Sequence, residues 1–246
     1  MSDSVARIEE DLGIACTILE WESGDIFGHV GARLPDGSGV ACKAFRPASA
    51  DEPDWRVHFD WNVKKLSGTG GPPQEWPMYT EIFAARPDVQ AIAHTHMPAC
   101  IALSIAGVDV GPVHMQSARF SQALPVYPRP IHIKDREEGR ALARALGDAK
   151  AVIIRGHGVV SIGRSIDEAC FNNVYAERTA KIMGLARKLG YGGPDPEFVA
   201  EMIGSRELLT GNAAESYRRS RGGYSNEWLY YRHRIAKGER WTRGWS

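Results

Sequence analysis

Two short apolar runs, each leading into histidine, constrain this chain more than any other feature. Ala91-Ile92-Ala93 leads into His94-Thr95-His96, and Ala151-Val152-Ile153-Ile154 leads into Arg155-Gly156-His157-Gly158. Short continuous apolar segments of this kind read as buried strands. Residues two apart on a strand face the same side, so His94 and His96 present two imidazoles to one point while Thr95 turns away. His157 stands between two glycines, which let backbone approach closely. A lone histidine at a strand end is ordinarily a hydrogen-bonded core or surface residue. Three arriving from two strands form the ligand set of a catalytic metal site with a coordination position left for a reactant. A structural zinc site fits less well, because such sites are closed and rich in cysteine. Cys16, Cys42, Cys100 and Cys170 form no Cys-x-x-Cys pair.

A length of 246 residues suits one large domain or at most two small ones. Thirty basic and thirty acidic residues leave no formal net charge, which argues against nucleic acid or a membrane surface as partner. No apolar run approaches the roughly 20 residues that cross a bilayer. The first residues lack a basic segment followed by an apolar one, which argues against a signal peptide. Four scattered cysteines suit free thiols in a reducing compartment, so a cytoplasmic location is expected.

Val5, Ile8, Leu12, Ala15 and Ile18 recur at helical spacing and predict an amphipathic helix over roughly 3–21, ending near Gly24. From Ile26 to about Val63 the apolar pieces are broken by Gly and Pro, which predicts short strands and turns. Pro77 opens a short helix through Ala85, and Pro87 stops it. A helix of small and apolar residues is expected over Ala99 to Ala106. Asp135 with Glu138, and Ser165 with Glu168, are capping-box patterns. The first starts a helix that ends at Gly147, and the second starts the longest helix, about 166–189. Strands alternating with helices predict an α/β layered architecture.

A metal-bound substrate needs a proton acceptor nearby. Glu75, just before the helix at Pro77, and Glu81 within it are the two candidates. The other role for a glutamate at Glu75 is electrostatic, since an acidic group near a helix start contributes about 0.3–1 kcal/mol.

With these segments in place, the chain resembles the class II aldolase/adducin family over roughly residues 5–205. The resemblance rests on Phe27-Gly28-His29-Val30-Gly31-Ala32-Arg33, Glu75-Trp76, Ala85-Arg86-Pro87-Asp88, His94-Thr95-His96, and Gly156-His157-Gly158 followed by the long helix with Ala169. It implies a three-layer α/β fold, with a central, mostly antiparallel sheet flanked by helices. It also implies a ring-shaped homotetramer with sites between subunits. By the same similarity His94, His96 and His157 would hold one divalent ion per subunit (zinc, manganese or iron), and Glu75 rather than Glu81 would be the acid/base. Residues 1–205 would form the catalytic domain, and 206–246 a helical extension on the same domain or a neighbouring subunit. Within that extension Tyr224, Tyr230 and Tyr231 would reach a neighbouring subunit's site, or else pack the subunit interface or cover the core.

The departures from the family pattern narrow the chemistry. Members acting on sugar phosphates cradle phosphate with a Gly-Asn segment, a Thr-Gly segment and a Ser-Ser before the glutamate. Here those places read Gly28-His29, Lys43-Ala44-Phe45-Arg46-Pro47 and Pro73-Gln74. The fuculose-phosphate aldolase branch also carries a tyrosine near a position that here reads His114-Met115-Gln116. Gly-His and the His-x-x-Ser at 114–117 are more similar to the branch of decarboxylases acting on hydroxylated aromatic or heteroaromatic acids. The expected function is thus a metal-dependent carbon–carbon lyase, a decarboxylase of a non-phosphorylated hydroxy or oxo acid. His29, Arg33 or Arg119 would orient a second substrate carboxylate. The alternatives are an aldolase of an unphosphorylated oxo acid or hydroxyaldehyde, an iron-dependent oxygenase, and a non-catalytic adducin-like assembly module.

Overall fold

The computed structural model describes residues 2–45, 52, 55–209, 219–220 and 222–239. The first helix, α1 (Ser2–Ser23), buries Leu12, Ala15, Ile18 and Leu19 and ends at Gly24, whose φ of +71° suits a residue without Cβ. Four strands follow: β1 (His29–Arg33), β2 (Gly39–Lys43), β3 (Arg56–Asp60) and β4 (Lys65–Ser67). Next come α2 (Pro77–Ala85), β5 (Ala91–Thr95), α3 (Pro98–Ile105), a short 3-10 helix (Met115–Phe120) and β6 (Val126–Tyr127). The second half holds α4 (Arg136–Leu146), β7 (Ala151–Ile154), β8 (Gly158–Gly163), α5 (Ile166–Lys188), α6 (Pro196–Leu209) and α7 (Asn226–Ala236).

One eight-stranded sheet runs β4-β3-β2-β1-β5-β8-β7-β6. Every neighbouring pair is antiparallel except β6 with β7. Strand alternation divides the core into two layers. Ala91, Ala93, Ala151 and Ile153 face α1, α3 and α5, whereas Ile92, Val152 and Ile154 face α2 and α4. Both faces are covered, which is why the central strands read as continuous apolar runs rather than alternating ones. This is the expected three-layer α/β fold. Trp228 and Tyr231 of α7 are buried in the α1/α5 layer, and the Tyr231 hydroxyl donates to Glu22.

Both predicted caps form. Asp135 accepts from Glu138 N–H at the start of α4, and Ser165 accepts from Glu168 N–H at the start of α5. β8 has no counterpart in the sequence reading. His157 therefore lies in the tight turn of the β7–β8 hairpin, with Gly156 at φ +67°, and not at the end of a strand. The hairpin draws β8 against β5, with Val160 opposite His94 and Val159 opposite Thr95. That approach demands glycine at 158, where an added Cβ would run into the Thr95 carbonyl oxygen. Gly158→Ala is expected to cost about 1–3 kcal/mol through this overpacking. A lowered urea midpoint of the metal-free protein checks it.

Candidate active site

Four side chains from three segments of the chain meet at one point. Ligand atoms of Glu75, His94, His96 and His157 all lie within 4.8 Å of one another. The rings form a nearly equilateral triangle, with centroids 5.0 Å apart for His94–His96 and 5.1 Å for both His94–His157 and His96–His157. His94 comes from β5 on the α2 side of the sheet, His96 just beyond that strand, and His157 from the neighbouring hairpin turn. Thr95 points the other way, where its hydroxyl donates to Asn173 Oδ1 at 2.6 Å. The same-side placement of His94 and His96 thus follows the strand periodicity.

Each imidazole is held by its Nδ1. His94 Nδ1 meets the Val159 carbonyl at 3.1 Å, His157 Nδ1 the Ile131 carbonyl at 2.9 Å, and His96 Nδ1 the Asp25 carboxylate at 2.6 Å. With Nδ1 donating, Nε2 keeps its lone pair and is free to ligate. The Nε2 atoms of His94 and His157 are buried and have no hydrogen-bond partner among the described residues. Buried polar atoms are rarely left so, and two aimed at a carboxylate fit a cation that completes the set. The three neutral imidazole nitrogens suit zinc, manganese or iron, with the Glu75 carboxylate beside them.

Glu75 is anchored from one side only. Its Oε1 accepts from Ile133 N–H at 2.9 Å, while Oε2 stands 3.4 Å from His94 Nε2, 3.8 Å from His157 Nε2 and 4.0 Å from His29 Nε2. Burial pushes its carboxyl up, but contact with His94, the neighbouring His29 ring and the Ile133 N–H outweigh it and hold Glu75 well below the usual carboxylate range. Segment 131–133 thus grips Glu75 through one backbone group and His157 through another. Glu81 is occupied elsewhere. It pairs with Arg136 at 2.5 Å and Arg140 at 3.5 Å on α4, where the close packing of Gly139 brings the two helices together.

Of the three residues expected to orient a substrate carboxylate, the structure brings one to the cluster. His29 lies opposite His94 in the β1–β5 register, with ring centroids 5.1 Å apart. Arg33 is four residues further along β1, about 13 Å away. Its guanidinium donates to the carbonyls of Phe83 and Val89 and lies over the Phe83 ring, so it fastens the end of α2 instead. Arg119 belongs to the α5 layer, across the sheet from Glu75, where it sits 4.1 Å over the Tyr175 ring and donates to Asn172. Within this chain neither arginine reaches the histidines. Tyr224 binds Asp11, Tyr231 is buried, and Tyr230 is exposed. Arg46, Pro47, Tyr217, Trp241 and Trp245 lie outside the described residues.

Sequence reasoning missed two neighbours. Asp25 supports His96, and the exposed His132 lies 3.7 Å from Glu75 Oε1 with its ring 5.1 Å from that of His157.

Burial, reinforced by the neighbouring His94, lowers the pKa of His29 to about 3 and that of His157 to about 4. An unfolded imidazole titrates near 6.5. The unfolded chain therefore takes up protons first as pH falls. The contribution of these rings to stability is full above about pH 6.5 and is lost as pH drops from there through about 4 for His157 and about 3 for His29. Urea midpoints of the metal-free protein should fall across that window, and midpoints independent of pH would contradict the assignment.

Comparison with known proteins agrees with this architecture. Residues 20–183 match the class II aldolase and adducin N-terminal domain. The chain is 30% identical over 194 residues to 3,4-dihydroxyphthalate decarboxylase of Arthrobacter keyseri, covering 71% of this chain and 77% of that protein. It is 29% identical over 175 residues to the protein of the same name from Rhodococcus jostii (strain RHA1), covering 64% and 70%. Among solved structures, L-fuculose 1-phosphate aldolase from Glaciozyma antarctica PI12 shares the fold with a TM-score of 0.76. Its identity is 22%, and the match covers 97% of this chain and 92% of that one.

Proposed function

Because the chain belongs to the class II aldolase and adducin family, as one of its lyases, we propose that it is a divalent-metal-dependent decarboxylase of a non-phosphorylated, hydroxylated aromatic carboxylic acid. The observation that carries this reading is the convergence of three imidazoles and Glu75 at one point. His94, His96 and His157 would hold the ion. Bound there, it would supply a Lewis acid that withdraws electrons from adjacent hydroxyl and carboxylate oxygens of the substrate.

The rest falls to the protein's own groups. Glu75, ionised and tethered through Oε1, has Oε2 available to accept the proton of the substrate hydroxyl. When the carbon–carbon bond breaks, carbon dioxide leaves and the electron pair stays on the ring carbon. Glu75 returns its proton to that carbon. The hydroxyl oxygen is left as phenolate, so protons and electrons balance. The relatives named for dihydroxyphthalate make a dihydroxylated benzene dicarboxylic acid the first substrate to try.

Sugar-phosphate cleavage lacks its support here. Where those members place a phosphate-binding asparagine this chain has His29, whose ring is buried beside His94. Lys43, at the Thr-Gly position, is turned onto the carbonyls of Ile26 and Gly28. A homotetramer and a small carboxylate as the bound partner complete the proposal. Among the described residues no helix is long and apolar enough to cross a membrane.

The test is to load purified protein with zinc, manganese or iron in turn and supply hydroxylated aromatic acids, 3,4-dihydroxyphthalate first. Carbon dioxide release without oxygen consumption is expected. Oxygen uptake, or release of an aldehyde from a hydroxy-oxo acid, would replace this reading by an oxygenase or an aldolase.

A further inference from the structure

Tyr79 is fully buried in α2, and its hydroxyl lies 2.6 Å from His29 Nδ1. The tyrosine reaches that position because Gly31, two residues along β1 on the same face as His29, has no side chain. A Cβ at Gly31 would lie 2.5 Å from a Tyr79 ring carbon. The pair is therefore built by three residues on two elements.

Its polarity follows from simple accounting. The phenol has one hydrogen, and among the described residues His29 Nδ1 is the acceptor recorded for it. Were Nδ1 the protonated nitrogen, that buried hydrogen would be left without an acceptor. The far side of the ring agrees. His29 Nε2 faces Glu75 Oε2 at 4.0 Å, and an ionised carboxylate only accepts. A lone pair on Nε2 would oppose it, whereas an N–H would not. The separation exceeds a direct hydrogen bond and leaves Nε2–H free to donate to an oxygen of a bound substrate.

We propose that Tyr79 is a positioning residue that locks His29 as its Nε2–H tautomer, making His29 a fixed, uncharged donor to an anionic oxygen of the substrate. The proposal rests on the decarboxylase reading for the nature of that oxygen, a carboxylate or phenolate beside the group that Glu75 serves. A neutral donor held in place recognises such an oxygen without adding a positive charge next to the cation site. Tyr79 touches neither substrate nor reacting atoms and acts through His29.

The experiment has two arms. In metal-free protein labelled with 15N-histidine, long-range proton–nitrogen correlation at pH 8 reads the tautomer of each ring, with His29→Asn identifying the His29 signals. His29 is expected to show a protonated Nε2 and an unprotonated, hydrogen-bonded Nδ1. Tyr79→Phe, which removes one oxygen, should turn those signals into a mixture of tautomers. In zinc-loaded protein, calorimetric titration with salicylate is expected to show roughly tenfold weaker binding for Tyr79→Phe at unchanged zinc content. A wild-type His29 protonated at Nδ1, or Tyr79→Phe with unchanged ring signals, overturns the lock whatever the reaction. Altered signals with undiminished affinity overturn the donor role. A confirmed lock in a protein that decarboxylates no hydroxylated acid counts against the reaction instead.

Discussion

Glu75→Gln is expected to keep the bound metal and to lower turnover by about 10²- to 10⁴-fold, the usual contribution of a positioned acid/base. Glutamine matches glutamate in size, and its amide oxygen accepts the Ile133 N–H as Oε1 does now. At the Oε2 position it places an amide that takes up no proton from the substrate and returns none to the ring carbon. The three imidazoles keep their Nδ1 partners, Val159, Asp25 and Ile131, none of which involves Glu75. Metal analysis of the purified variant beside its rate of carbon dioxide release checks both halves. Turnover within twofold of the wild type would remove Glu75 from the chemistry.

His94→Ala should abolish metal binding and turnover together. His94 is 1% exposed and central, since its ring is the one that neighbours His29, His96 and His157 at once. Two imidazoles from different elements hold a cation far less well than three. The readout that separates a ligand from a merely buried residue is thermal stability against added zinc. A ligand at 100 times its dissociation constant stabilises the folded state by about 2.7 kcal/mol. Wild-type protein should therefore melt higher as zinc is added, and His94→Ala should not respond. His132→Ala is the control. Its side chain is 63% exposed, and the variant should keep its metal. A full zinc response in His94→Ala would mean that the cation sits elsewhere.

The helices and the buried strands leading to the histidines were legible from local rules. Asp135 and Ser165 cap as their sequence context predicts, because a cap is satisfied within one turn of chain. β8 was not legible. Gly158-Val-Val-Ser-Ile-Gly163 follows Arg155-Gly156-His157, a turn without the Asn-Gly or Asp-Gly signature, so the hairpin left little trace. Asp25 was missed for a different reason. It follows a helix end in an ordinary polar stretch and lies 71 residues from the histidine it supports. Arg33 misled because its place in a family motif says nothing about which way the strand carries it. It stands at the end of β1 remote from His29, against α2.

By itself the sequence determined which residue types were present for chemistry and the faces on which they lay. Periods of two and 3.6 residues are enforced by backbone sterics wherever a strand or helix forms, so His94 and His96 were bound to share a side. The sequence also carried the motif order from which family membership was read. Only the tertiary structure decided which distant groups finished the site. Long-range pairing set His29 opposite His94, packed Tyr79 into the space left by Gly31, brought Asp25 to His96, and set both arginines away from the histidines. Those outcomes depend on the register between strands and the packing of helices on them, and neither is encoded in any one segment.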